Sequence, residues 1–589
     1  MRCGIDSGGT FTDLVADDGR IAKVLSTPDD PARAVEHAID AIGARDRLAV
    51  LAHGTTVATN ALLERRGATV ALVATDGFAD EIEIARQVRP SLYDPFADRP
   101  EPLVPRALRF GVSGRLDARG VELTAFDGVV PEMPDGVDAV AVCLLHSDRD
   151  PGHERAVAAA LRRTHARRVV CSHEVSAEFR EYERMVTTVI EAFLEPVCAP
   201  YLMRVAALAP ETFVMTSAGG LMPATEGARA AAALVLSGPA GGVRAAGEIA
   251  RACGFADVVS FDMGGTSTDV CLVRGGIPEP APQRTVAGLP VRLPALDVHT
   301  IGAGGGSIAG IDAGGALVVG PRSAGAQPGP ACYGRGGAHA TVTDADLVLG
   351  RIPRDAAFAG LGRLDLEAAR GALARAGVDA EGVVRVVDAA MERAVRVVTV
   401  ERGVDARECA LVAFGGAGPL HACAVAEALG MRAVIVPPRA GVCSAVGLLG
   451  APEAREVVRS YAGTGVQSAL AQVAREARAL VGADAHVETA VDCRYIGQSH
   501  ELTVATPADF PAEHERRNGH ARPGAPVEIV AVRARATRLA PRAVTELPDV
   551  ARARVTGPSV VAEADCTVWV PEGWIAEPRE LGAWVIERA

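Results

Sequence analysis

The chain has 589 residues and a mass of 60.7 kDa, with 49% hydrophobic and 23% charged side chains, apolar mass enough for several cores and the length of roughly three or four average domains. Its 60 basic against 73 acidic side chains leave −13 at pH 7, so no broad positive field exists to hold nucleic acid or an anionic membrane. Lys23 is the only lysine. A Gly-Lys-Ser/Thr phosphate loop and Schiff-base chemistry would both fall on this one residue, which sits in neither context, so any phosphate site is expected to be lysine-free.

The 12 cysteines are dispersed, with no Cys-x-x-Cys pair and no histidine at zinc-ligand spacing, which predicts reduced and mostly buried thiols. Met1–Asp6 has no apolar leader run, and no apolar stretch is read as approaching the roughly 20 residues of a membrane helix. The expected compartment is the cytoplasm.

In chain order, Cys3–Val15 reads as an apolar strand ending in Asp6, a Gly8-Gly9-Thr10 turn and a second strand opened by Thr12-Asp13. Leu48–Ala52 reads as a strand, His53–Asn60 as a loop entering a helix and Thr69–Ala74 as another strand, which is βαβ logic. Pro90–Pro105 is a proline-rich surface loop, Val137–Leu145 a buried strand, and Glu178–Leu194 a helix expected to bridge two lobes. Ser237–Gly242 opens a helix. Ser260–Cys271 then repeats the first hairpin, with Asp262, Gly264, Gly265, Thr266 and Asp269 in the same order and its first aspartate 256 residues beyond Asp6.

A glycine run, Gly302–Ser307, follows a strand, and Val412–His421 reads as a strand, a glycine loop and a helix. From about Arg455 the pattern is charged and helical, then strand-like. The organisation expected is an N-terminal lobe over 1–177, a second lobe over 178–452 and a separate C-terminal α+β domain over 453–589.

A Gly-Gly-Thr tip lets backbone N–H groups and a hydroxyl approach phosphate oxygens with no Cβ in the way, and the aspartate before it can hold Mg²⁺. One copy is an ordinary tight turn as readily as a site; two copies in separate lobes point to a nucleotide cleft. Gly415, Gly416 and Gly418 lie between a strand and a helix, where flat contact with a nucleoside is possible and the helix N-terminus favours anions. His53 is a candidate proton carrier or substrate-orienting group, against the alternative of a histidine hydrogen-bonded within its loop. Gly302–Ser307 is either an anion nest or a flexible turn. Cys332 has no base beside it and is read as packing, and His421 as a structural histidine.

These segments carry a resemblance. The paired hairpins and the glycine loop look like the actin, sugar-kinase and heat-shock-ATPase superfamily. More narrowly, Asp6–Asp13, His53–Leu62, Glu178–Arg184, Ser237–Gly242, Phe261–Asp269, Gly302–Ser307, Gly329–Gly334 and Phe414–His421 together resemble the hydantoinase A / 5-oxoprolinase / acetone carboxylase β-subunit family, in the family's order, to about residue 450. Beyond that the likeness thins: Asn518-Gly519-His520 stands where a Tyr-Gly-Tyr is usual, and the C-terminal part looks abbreviated.

The resemblance implies a two-lobed actin-like α/β ATPase fold (acetate and sugar kinase/heat-shock chaperone/actin) with a C-terminal α+β domain. It further implies an ATP-binding subunit of an ATP-dependent cyclic-amide hydrolase that phosphorylates the substrate carbonyl and works with a hydantoinase B-like subunit in an oligomer. ATP and Mg²⁺ are the implied cofactors. Asp6, His53 and Asp262 are the expected catalytic residues, with Asp6 and Asp262 at the metal. Gly8, Gly9, Thr10, Gly264, Gly265 and Thr266 are expected at the phosphates, Gly415, Gly416 and Gly418 at the adenosine, and Thr55, Thr56 and Asn60 at the substrate. The alternatives are a ketone carboxylase subunit, a small-molecule kinase and a non-catalytic actin-like ATP switch.

Overall fold

The computed structural model describes all residues except 28, 165–167, 356–361, 462, 464 and 541–542. The strand Arg2–Ser7 turns at its glycine tip and returns antiparallel as Phe11–Ala16, with Asp6 opposite Asp13. Val258–Met263 does the same with Thr268–Arg274, with Asp262 opposite Asp269. The first strand of each hairpin also has a parallel neighbour, Val50–Thr55 in one lobe and Ala410–Phe414 in the other. Two copies of one register and one connection make two related lobes, the two-lobed α/β fold that the resemblance implies.

The first sheet has ten strands. Its edge strand Ile21–Leu25 follows the hairpin, and on the other side Val50–Thr55 is joined by Glu211–Met215 and Leu221–Pro223. The second sheet runs from Ile277–Pro278 through the second hairpin, Ala410–Phe414 and Val434–Val436 to Trp584–Arg588, Trp574–Pro578 and Val555–Thr556. A separate parallel sheet of four strands, among them Val70–Thr75 and the fully buried Ala139–Cys143, has its own small core. Central parallel strands covered on both faces are apolar throughout, and Ala410–Phe414 is buried at every position.

Residues 453–589, read as one appended domain, divide between the two sheets. Glu453–Ser460, His486–Tyr495, Leu502–Val504 and Val527–Arg538 extend the first sheet beyond Leu221–Pro223. Trp574–Pro578 and Trp584–Arg588 extend the second beyond Val434–Val436. An exposed sheet edge leaves backbone groups unpaired, and a later segment that covers it removes that liability. Strand pattern gives no sign of which edge it will find.

The helix expected at Glu178–Leu194 spans Glu181–Ala206 and is buried over most of its length. It supplies Met185, Val189, Ile190 and Phe193 to the first lobe's core rather than bridging the lobes. Among the described residues it is the one helix long and apolar enough, by length and composition, to cross a membrane, which corrects the reading that no stretch approaches that length. Some 72% of its most apolar window is buried in the protein, and it holds the buried side chains of Glu183, Arg184 and Glu191 within that core. The Pro90–Pro105 loop lies at the surface with Leu92, Tyr93 and Phe96 exposed. All 12 cysteines are free, and all but Cys253 are buried.

Candidate active site

The two hairpin tips face each other across a cavity of about 320 Å³. Asp6, Gly8, Gly9 and Thr10 line it from one lobe, and Asp262, Gly264, Gly265 and Thr266 from the other. Gly415 and Gly416 form part of its wall, as does Thr56, whose hydroxyl donates to the Ser7 carbonyl at 3.2 Å. Beyond the glycine loop the cavity has an apolar end that includes Ile352, Leu364 and Leu420.

Each hairpin aspartate occupies space that a glycine leaves free. Asp6 lies in register with Gly54 on the neighbouring strand, and a Cβ on Gly54 would come within 2.6 Å of Asp6 Oδ1. In the other lobe a Cβ on Gly415, which has φ +79°, would come within 2.4 Å of Asp262 Oδ1. Burial, compounded by the charges of Asp13 and Asp262, pushes Asp6 up to about 8. Burial and Asp269 push Asp262 up to about 7, partly offset by the Ser444 hydroxyl, which donates to it at 3.4 Å. Asp269 itself is pushed up to about 6 by burial.

Asp6 Oδ1 is buried with no hydrogen-bond partner. A hard divalent cation fits that arrangement: it takes carboxylate oxygens, relieves the repulsion and gives the orphaned atom a partner. Asp6 and Asp262 are therefore suited to holding Mg²⁺, alongside amide-rich tips suited to phosphate.

Other expected residues lie elsewhere. His53 is not in a loop: it is part of the strand Val50–Thr55 and fully buried. Its Nδ1 donates to the Ile5 carbonyl at 3.2 Å, which leaves Nε2 to accept from the Tyr201 hydroxyl at 2.5 Å. Burial pushes it down to about 4, so the ring is neutral and both nitrogens are engaged. Gly54 misled the reading, because its place in this strand is to make room for Asp6 rather than to break the strand.

Thr55 is buried, with its hydroxyl accepting from the Val57 amide at 3.2 Å. Asn60 is exposed on the helix Val57–Leu63 and donates to Thr56 Oγ1 at 3.3 Å. Neither is among the cavity-lining residues, and nor are His53 and Gly418. Gly418 starts the helix Gly418–Leu429 and packs by the Phe261 carbonyl. The glycine run Gly302–Ser307 is no open anion nest: Gly305 N donates to the Gly264 carbonyl at 3.0 Å and Gly306 N to that of Gly265 at 2.6 Å, so the run buttresses the second tip.

Two features of the cleft were missed. Lys23, set aside as lying in no phosphate motif, lines the cavity. Its Nζ donates to Asp13 at 2.8 and 3.0 Å and to the Gly441 carbonyl at 3.1 Å, so the cavity between the hairpins does contain the chain's lysine. Lys23 sits directly opposite Asp13 in the adjoining strand, a pairing that strand alternation alone does not specify.

The second is Asp346, at the apolar end of the cavity, with Oδ2 at 3.2 Å from His421 Nε2. His421 Nδ1 donates to Asp388 at 2.7 Å. Burial alone would lower this histidine, but the two carboxylates override it and raise it to about 10. Both of its ring nitrogens face carboxylates within the fold, which fits the structural reading. Cys332 is fully buried with its thiol pushed up, first by burial and then by Asp344, which fits packing.

The hydantoinase/oxoprolinase family model matches residues 184–457, and that of the hydantoinase/oxoprolinase N-terminal region matches residues 2–165. The caprolactamase subunit alpha of Pseudomonas jessenii is 34% identical over 90% of this chain and 86% of its own length. The 5-oxoprolinase 1 of Arabidopsis thaliana is 34% identical over 76% of this chain, which spans 41% of that longer protein. The acetophenone carboxylase gamma subunit of Aromatoleum aromaticum is 33% identical over 71% of this chain and 63% of its own. The crystal structure of the ATP-dependent caprolactamase from Pseudomonas jessenii superposes with a TM-score of 0.85 at 29% identity over the whole of both chains. With both family models matched in order and the whole fold shared, the chain belongs to the hydantoinase/oxoprolinase family.

Proposed function

We propose that this chain is the ATP-hydrolysing subunit of an ATP-dependent cyclic-amide hydrolase acting on a hydantoin, 5-oxoproline or lactam type of ring. The observation that carries the reading is the pair of half-buried aspartates on matched glycine-tipped hairpins facing one cavity, in a chain whose relatives include a caprolactamase subunit and a 5-oxoprolinase.

An amide carbon resists water because its nitrogen donates into the carbonyl and its oxygen is a poor leaving group. Transfer of the terminal phosphoryl group to the carbonyl oxygen removes both obstacles: the new O–P bond forms as the bond to the β,γ-bridging oxygen breaks, and ADP leaves with that electron pair. Water adds to the activated carbon, the ring C–N bond breaks with protonation of nitrogen, and a second water releases phosphate from the acyl phosphate.

The chain's contribution is positioning and electrostatics rather than a covalent nucleophile. The amides and hydroxyls of Gly8–Thr10 and Gly264–Thr266 would cradle the phosphates, and Gly415 and Gly416 would admit the nucleoside towards the apolar end. Mg²⁺, when bound by Asp6 and Asp262, would supply neutralisation of phosphate charge. His53 takes the role of a buried brace beneath Asp6. Ring opening is assigned to a second, hydantoinase B-like polypeptide in a hetero-oligomer, consistent with the subunit names of the relatives. The free thiols fit a reducing compartment such as the cytoplasm.

The test is ATP hydrolysis assayed with hydantoins, lactams, 5-oxoproline and ketones, with and without bicarbonate. Stimulation by a cyclic amide without bicarbonate is expected. A second reading, a ketone carboxylase subunit, is favoured by the likeness to the acetophenone carboxylase subunit and would show stimulation by a ketone that requires bicarbonate. A kinase would instead accumulate a stable phosphorylated product, and an ATP switch would respond to none of the compounds.

A further inference from the structure

The two lobes repeat each other across three strands, not two. In the first lobe Asp6 stands opposite Asp13, and Asp13 opposite Lys23. In the second, Asp262 stands opposite Asp269, and Asp269 opposite Thr300 on the strand His299–Ile301. Directly opposed residues in an antiparallel sheet share a face, so each lobe presents a row of three side chains. The third member closes the row in the same way, Lys23 Nζ donating to Asp13 at 2.8 Å and Thr300 Oγ1 to Asp269 at 2.5 Å. The rows match in place and differ in charge: an ammonium ends one and a hydroxyl the other.

That difference falls where charge matters most. Asp6, Asp13, Asp262, Asp346 and Asp565 line the cavity, and among the described lining residues Lys23 is the only cation. Its Nζ lies over the Phe11 ring, 5.0 Å from the centroid. The same Nζ reaches across to the Gly441 carbonyl of the second lobe at 3.1 Å, while the Gly441 amide donates to Asp565 at 2.7 Å. A nucleoside triphosphate entering this cavity brings several negative charges into a wall of carboxylates. Backbone amides and a divalent cation offset part of that; the remaining offset within the protein has one source.

We propose that Lys23 contacts the terminal phosphoryl group of the bound nucleoside triphosphate, turning part of its hydrogen bonding from Asp13 and Gly441 to that group, so that the first lobe carries the transferred phosphoryl and the second the part of the nucleotide that remains. The inference rests on the ATP site proposed above and adds to it both the residue and the handedness of the cleft. Phosphoryl transfer spreads charge over the equatorial oxygens, so a cation there serves the transition state more than the product complex with ADP.

Because the chain has one lysine, its amine chemistry is unambiguous. Reductive methylation of the intact protein, read by peptide mass spectrometry with the chain's α-amino group as internal reference, should modify Lys23 in the nucleotide-free protein. A non-hydrolysable ATP analogue with Mg²⁺ should protect it and ADP should not; equal modification with and without an analogue that calorimetry shows to be bound overturns the proposal.

Independently, Lys23→Met should lower substrate-stimulated ATP turnover by about 10²-fold or more with ADP affinity changed by less than about threefold. Lys23→Thr, which copies the second lobe's row, should behave like Lys23→Met, and Lys23→Arg should recover part of the rate. Turnover of folded Lys23→Met within about threefold of the unmodified protein contradicts the inference. If the unmodified chain binds neither ATP nor its analogue, the ATP reading itself has failed, which calorimetry on that protein separates from a failure at Lys23.

Discussion

Asp6 is kept at about 8 by burial and the charges of Asp13 and Asp262, and Asp262 at about 7 by burial and Asp269, a costly arrangement where nothing else compensates it. A carboxyl raised above its unfolded value stabilises the fold at low pH, and that contribution is lost as pH rises from about 4 through the folded value. Asp6→Asn, measured with a chelator present, should therefore hold or raise the melting temperature and flatten its decline between pH 4 and 8, while ATP turnover falls by about 10²-fold or more. Asp262→Asn should behave alike. The histidines give opposite signs. His53, held down at about 4, contributes stability that is lost as pH falls from about 6.5 towards 4; His421, raised to about 10, contributes stability lost as pH rises from about 6.5 towards 10. His53→Ala should lower stability by about 2–4 kcal/mol through its cavity and the stranded Tyr201 hydroxyl, with the ratio of substrate-stimulated to basal ATP turnover retained; thermal denaturation over pH 4–10 and the stimulation ratio check all of these.

Among the elements, the glycine loop between Phe414 and the helix Gly418–Leu429 separates fold from function at adjacent positions. Gly415→Ala meets Asp262 at 2.4 Å and needs φ +79°, so it should destabilise the protein and disturb the second aspartate together. A Cβ on Gly416 meets nothing within 4 Å. Gly416→Ala should melt like the unmodified protein and yet bind ATP more weakly, by roughly tenfold, if the nucleoside lies on that face; calorimetry and thermal melting of the two variants give the comparison.

The hairpins were legible because Asp-x-Gly-Gly-Thr-x-Thr-Asp combines a strand end, a turn and a strand start within eight residues. Lys23 was not, since its relation to Asp13 exists only once the third strand is in register. The glycine run Gly302–Ser307 was ambiguous for a related reason: a sequence shows that amides are unobstructed by side chains, but not that Gly264 and Gly265 will take them.

For the molecule as a whole, the chain order of the lobes misled the domain reading. Leu221–Pro223 and Val434–Val436 each leave an edge that residues 453–589 close, one part per sheet, so the last quarter of the chain ties into both lobes and is no independent appendage. Removing residues after 552 should therefore expose the strand Val434–Val436 and the core side chains packed on Trp574 and Trp584, yielding aggregated protein rather than a functional core; size-exclusion chromatography of the truncated chain tests this. Co-expression with a hydantoinase B-like polypeptide should give a stable complex that opens the ring, with the isolated chain limited to ATP turnover.

On the proposed reading, both lobes serve one ATP-driven step on a cyclic amide. This is tested most directly by the ATP turnover of the complex with Mg²⁺ across a panel of lactams, hydantoins and 5-oxoproline, followed alongside ring-opened product and without added bicarbonate. At least one cyclic amide should raise turnover with ADP, phosphate and ring-opened product formed in equal amounts, and Asp6→Asn and Asp262→Asn should each abolish the rise. ATP turnover indifferent to every cyclic amide, or a rise that both variants retain, would contradict it.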